Sequence, residues 1–297
     1  MRVQITGATP LLFDDGSPVR AASGIAPYAG GWLVVQDDAT HGCHWRDGVG
    51  TAVRLFRPVQ GHDLFDEAAG PKELKPDLEA VLTLPDGRTL ALGSGSTPAR
   101  MRSVLLSETS LLVAGLAPVY ARVAEVLEVE PDQLNLEGAC VLDERLRWFQ
   151  RGLPSAGVPT ASVDLPLEGL LNLVSGAPAA VGVSAVRRYD LGEVAGVGLA
   201  VTDALALPDG RVLVSAVAED SPSTYDDGAV VGSALALLDG EQVVEVVELP
   251  RVDGAVVKVE GLALAGAHGW GLDLLAVVDA DTAELPSPLL SLKAEWS

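Results

Sequence analysis

Four acidic residues, Glu79, Glu137, Asp203 and Glu260, stand near the start of a recurring phrase, and Ser23 takes that place in a first copy. Carboxylates brought together repel, and a site answers by holding protons, cations or basic side chains. Basic groups accompany these acids. Lys258 is two residues before Glu260, hence on the same side of a strand. Lys75 precedes Glu79, and Arg151 ends the second strand of the third copy. The chain has only four lysines, so two of them beside these acids is informative. The strand after each acidic one ends in polar residues at matching places: Asp37-Asp38, Ser94-Gly95-Ser96, Gln150-Arg151, Glu219-Asp220 and Asp279-Ala280-Asp281.

Gathered at one rim, such residues suit proton transfer or the activation of water. Glu260, Lys258 and Glu137 are the candidate catalytic groups. Ser94, Arg100, Arg151, Glu79, Asp203, Glu219 and Asp279 would line the substrate, with Arg100 and Arg151 gripping an anionic group by forked hydrogen bonds. Oxygen-rich clusters also suit a divalent cation such as Ca²⁺, whereas Lys258, Arg151 and Arg100 can neutralise the acids without any ion. The residues leave metal and cofactor open. An internal ion-pair lattice that locks neighbouring repeats would need the same pattern.

Other motifs carry less. His41, Cys43 and His44 match no common zinc spacing. His62 could serve as an acid or base if its loop folds over the site. The glycine-rich Gly93–Ser96 opens no helix and is no phosphate loop. A nucleophilic Ser94 or Ser96 lacks a histidine base placed by the repeats.

The elements that must position these groups are strands. The intervals between copies are 56, 58, 66 and 57 residues; they span 237 residues, and the remaining 60 equal one more interval if the two ends of the chain join. A repeat of this length in an all-strand sequence predicts a propeller, since no unit can bury both its faces alone. The expected fold is all-β, a single domain over 1–297 with five blades; a six-bladed ring is the alternative and needs a sixth copy. Turn signals at Pro85-Asp86-Gly87, Pro208-Asp209-Gly210 and Asp239-Gly240 divide the strands. The last blade lacks one strand, and Arg2–Thr6 is the expected donor that closes the ring and removes an open edge. Helical spacing over Leu116–Glu128, with Pro118 in its first turn, predicts a helix outside the ring; Leu167–Val174 predicts a second. The charged loop Gly61–Lys75 has the length of a binding loop or lid.

Composition narrows the function. The apolar share is 48% and the aromatic share only 4%, so Val, Leu and Ala must fill the core. The net charge of −21 repels phosphate backbones and argues against nucleic acid. Cys43 and Cys140 lie in different repeats and read as buried free thiols. No apolar run is long enough for a signal peptide or a membrane span. A cytoplasmic location and a small-molecule ligand are expected, with the oligomeric state open.

Four stretches carry a family resemblance: 75–100, 134–152, 202–235 and 258–281. They resemble a group of uncharacterised bacterial propeller proteins and, more distantly, phytase-like esterase and gluconolactonase-type propellers. The resemblance implies a propeller with a rim site. In the gluconolactonase-type enzymes the glutamate of a Glu-Gly phrase binds a divalent metal, and Glu137-Gly138 and Glu260-Gly261 match that phrase. The asparagines that complete their metal site have no evident counterparts: neither Asn135 nor Asn172 follows the spacing. The expectation is a hydrolase of an ester, lactone or phosphoester. A non-catalytic binding or scaffold propeller, or a biosynthetic cyclase or isomerase, would fit the same residues.

Overall fold

A computed structural model describes residues 1–65, 71–220, 228–280, 282 and 285–296. Part of the Gly61–Lys75 loop, the pair Asp226-Asp227 and Asp281 lie outside the described residues.

The strands form five antiparallel sheets arranged as a five-bladed propeller. Each blade is a meander that starts at the axis. The innermost strands are Ala22–Tyr28, Leu78–Thr83, Leu136–Leu142, Val197–Ala206 and Lys258–His268. Each packs beside the innermost strand of the next blade, and the fifth meets the first. The Pro-Asp-Gly turns lie where the sequence puts them, with Gly87 and Gly210 at φ of 84° and 86°, a region open to glycine without steric penalty.

Blade five is completed by the N-terminal strand, which runs further than expected. Arg2–Pro10 pairs antiparallel with Pro288–Glu295, from Arg2 opposite Glu295 to Pro10 opposite Pro288. Blade four departs from the four-strand plan. Its sheet has a fifth, two-residue strand, Glu193–Val194, and its first three main strands run 9 to 11 residues.

The core is divided. Five apolar clusters form, and each joins neighbouring blades: Leu33 and Val35 meet Val81 and Val104 between blades one and two, and Phe149 meets Val201 and Val214 between three and four. Burial at roughly 25 cal/mol per Å² of apolar surface therefore stabilises the ring through its blade contacts rather than through one centre. Two helices, α1 (Ala117–Leu127) and α2 (Leu167–Val174), lie outside the ring. They fill the interface of blades two and three, where Tyr120 of α1 meets Trp148 edge-on at 4.9 Å. No helix of the described residues is long and apolar enough to cross a membrane. Cys43 and Cys140 are buried and unbridged, and burial pushes both thiols up to about 12.

Candidate functional site

Every innermost strand carries a bulge, near its start in four blades and midway along Val197–Ala206 in blade four, where one extra residue drops out of the pairing with the second strand. A bulge re-aims a side chain at little cost to the ladder. The residues at the bulges are Ser23, Glu79, Glu137, Thr202 and Glu260. Asp203, expected at the equivalent place in blade four, is therefore one residue off: it pairs with Ser215, and Thr202 is the residue passed over.

The glycine after Glu137 and after Glu260 has a packing reason. A Cβ at Gly138 would stand 2.5 Å from the Ala204 nitrogen, and one at Gly261 would stand 2.6 Å from Gly24 Cα. The Glu-Gly phrase thus lets adjacent innermost strands approach closely. In blade four Asp203 occupies this position, and its carboxylate crosses to the next blade, accepting from the Leu262 N–H at 2.7 Å and from the Ala204 N–H at 2.7 Å. Burial drives its pKa well up despite those two bonds. The two hydroxyl residues at bulges also bridge blades. Ser23 donates to the Leu78 carbonyl at 2.5 Å, and Thr202 to the Val259 carbonyl at 2.7 Å.

Around the bulges stand the ends of the second strands. On one side Lys75 Nζ lies 2.5 Å from Asp37 and 2.6 Å from Asp77. Arg100 Nη1 reaches Asp77 at 2.9 Å and Ser96 Oγ at 2.8 Å, and Ser94 donates to Asp77. Burial alone would raise Asp77, but the charges of Lys75 and Arg100 and the bonds from Lys75 and Ser94 outweigh it and hold the carboxyl below its ordinary value. Glu79, two residues on, goes the other way. Burial, then repulsion from Glu137, Asp77 and Asp37, lifts it well above the carboxylate range. It is half-buried, with no hydrogen-bond donor among the described residues.

On the other side Arg151 joins blade three to blade four. Its guanidinium meets Glu137 Oε1 at 3.3 Å and Glu219 Oε2 at 2.5 Å, and Glu219 also accepts from the Gly228 N–H. Asn135 Nδ2 donates to Glu137 Oε1 at 2.6 Å. Lys258 Nζ is 3.5 Å from both Glu260 Oε1 and Asp279 Oδ2. Glu260 is only 5% exposed, and its Oε2 is buried with no hydrogen-bond partner. Burial pushes this carboxyl up to about 8, with Lys258 and Arg151 pulling back.

The structure thus brings Glu79, Glu137, Glu219, Glu260, Asp279, Ser94, Arg100, Arg151 and Lys258 to one mouth of the channel, and sets Asp203 into the contact between blades four and five. Sequence reasoning missed Thr202 and Asp77, and weighed Asn135 only as a metal ligand. The signal for Thr202 was available: aligning Pro85-Asp86-Gly87-Arg88 on Pro208-Asp209-Gly210-Arg211 puts Glu79 opposite Thr202. Asp77 and Asn135 precede the bulge residue by two, as Lys258 does.

The donors present do not fit a resident divalent cation. Among the described residues the one trio with carboxylate oxygens close enough to share an ion is Asp37, Asp77 and Glu79. Lys75 already sets its ammonium between the first two. The oxygens at Glu137 Oε1 and Glu260 Oε1 likewise face N–H groups.

Several solved structures share the fold. A hypothetical protein from Leishmania major aligns at a TM-score of 0.51 and 14% identity, over 98% of this chain and 91% of that one. MPT-4, a mannose phosphorylase from Leishmania mexicana in complex with phosphate ion, gives 0.52 and 14%, over 97% and 88%. An α-L-arabinanase from Penicillium chrysogenum complexed with arabinobiose gives 0.43 and 10%, over 97% and 85%. At these identities the likeness to the two Leishmania proteins shows the fold alone. No curated protein matches the sequence. Residues 71–283, most of the chain and four of its five innermost strands, match one family, and the protein belongs to it: DUF6910, a family of unknown function.

Proposed function

We propose that the protein is a small-molecule enzyme acting at the channel mouth, a hydrolase of the ester or lactone type. One observation carries this reading: Glu260 holds a buried carboxyl oxygen without a partner, on an innermost strand and within the fields of Arg151 and Glu137 from blade three. A group left in that state is poised for a proton or a ligand. At neutral pH Glu260 carries its proton and gives it to the departing oxygen as the carbon–oxygen bond breaks. Glu137, its Oε1 fixed by Asn135 and Arg151, takes a proton from the water whose oxygen bonds to the carbonyl carbon. The net reaction consumes one water and yields acid and alcohol. Arg100 and Arg151, both engaged with carboxylates, position the acids instead of gripping the substrate.

The Glu137-Gly138 and Glu260-Gly261 phrases resemble gluconolactonase-type propellers and support the same placement of chemistry, with N–H donors where those enzymes use a metal. The test is turnover of an ester and lactone panel by the purified protein. Glu260→Gln should lower kcat by about 10²-fold or more, and unchanged turnover would refute the assignment. The inter-blade pairs of Arg151 and Lys75 favour a second reading, a binding propeller whose polar mouth is structural; it expects no turnover of any panel member.

A further inference from the structure

We propose that the mouth receives a neutral, hydroxyl-bearing small molecule, hydrogen-bonded by Glu79 and Glu260. This inference rests on reading the mouth as the reaction site and names the class of substrate it takes.

An anion at the mouth would compete with the acceptors that already hold its basic groups. Here each of the four basic groups at the mouth is held between acceptors: Lys75 by Asp37 and Asp77, Arg100 by Asp77 and Ser96, Arg151 by Glu137 and Glu219, Lys258 by Glu260 and Asp279. The hydroxyls of Ser23 and Thr202 already donate to Leu78 and Val259. Carboxyl oxygen stands open among these groups: Glu260 Oε2 is buried and without a partner, and Glu79 is half-buried with no hydrogen-bond donor among the described residues. The acids at the mouth outnumber the bases.

A cation could answer that excess, but it would have to enter among four fixed positive charges and displace protons that burial and mutual repulsion favour on Glu79 and Glu260. A hydroxyl group needs neither. It donates to a carboxylate and accepts from a protonated carboxyl, so it pairs with either form. Several hydroxyls on one small frame, as in a monosaccharide, would engage Glu79 and Glu260 together.

The experiment is titration calorimetry on the full chain with D-mannose, D-glucose and L-arabinose, with inorganic phosphate, and with calcium chloride. At least one sugar should give saturable heat, and phosphate and calcium should give none. Glu79→Gln and Glu260→Gln should keep sugar affinity within about threefold, because the amide still donates and accepts, whereas Glu79→Leu and Glu260→Leu should lose about tenfold or more. Melting curves on each variant check that it is folded, and the glutamine variants decide the matter if the leucine ones are not. No saturable heat with any sugar overturns the proposal, as does heat from phosphate or calcium that the glutamine variants abolish. Sugar binding without turnover sinks only the hydrolase reading; turnover of the ester panel without sugar binding sinks only this one.

Discussion

Glu260→Gln isolates one titration. The carboxyl faces Lys258 on its own strand, Asp279 on the adjoining strand, and Arg151 and Glu137 from blade three. Glutamine keeps an acceptor toward Lys258 and supplies N–H where the proton would sit, so it imitates the protonated acid at every pH. In the wild type the folded-state pKa of about 8 lies above the ordinary 4.5. Between those values the native protein holds a proton that the unfolded chain releases, so stability falls as pH rises through this window and the loss is complete above about 8. Three and a half pH units at about 1.36 kcal/mol each set a ceiling of about 5 kcal/mol on the loss. Glu79, Glu137 and Asp37 are also raised and add pH dependence that both proteins share. The readout is therefore the gap between the two urea-denaturation curves at pH 5, 7 and 9. Normalised at pH 5, the variant should gain on the wild type by several kcal/mol at pH 9. Parallel curves would show that Glu260 ionises normally and would remove the basis for treating it as a proton donor.

Other perturbations probe the ring. Asp203→Ala should cost about 2–4 kcal/mol in denaturation, since two buried N–H groups lose their acceptor; Asp203→Asn, which keeps one oxygen, should cost less. Gly261→Ala should destabilise by about 1–3 kcal/mol, because its Cβ would press on the Gly24 backbone. Lys75→Met should cost about 3–5 kcal/mol at neutral pH, and calcium chloride should raise the melting temperature of the variant but not of the wild type, the vacated trio Asp37, Asp77 and Glu79 then being able to share the ion.

Much of this arrangement is legible in the residues. Periodic acids and Pro-Asp-Gly turns report blade spacing because each blade must repeat the same path from axis to rim, and the missing fifth-blade strand points to the N-terminus because an unpaired edge must be covered. The pairing of Lys258 with Glu260 follows from strand alternation alone. The limit comes at the bulges. An extra residue breaks the period of two without changing composition, so Asp203 looks equivalent to Glu79 although Thr202 holds that place. Contacts between blades are hidden for another reason. Arg151 and Glu219 are 68 residues apart and meet only because blades three and four are neighbours; nothing local to either marks it as the other's partner. The carboxylates that hold Arg100 and Arg151 are hidden in the same way, since an arginine reads alike in a sequence whether or not an acid from elsewhere in the fold meets it.

The pairing of Arg2–Pro10 with Pro288–Glu295 also governs how the molecule is made and unmade. Arg2–Pro10 is synthesised long before Pro288–Glu295 and must wait for it, and joining segments nearly 300 residues apart costs about 5 kcal/mol of chain entropy beyond a fixed term. Blade five is thus the latch of the circle. Loss of the Arg2–Pro10 strand would bare the Pro288–Glu295 edge and unlatch the ring.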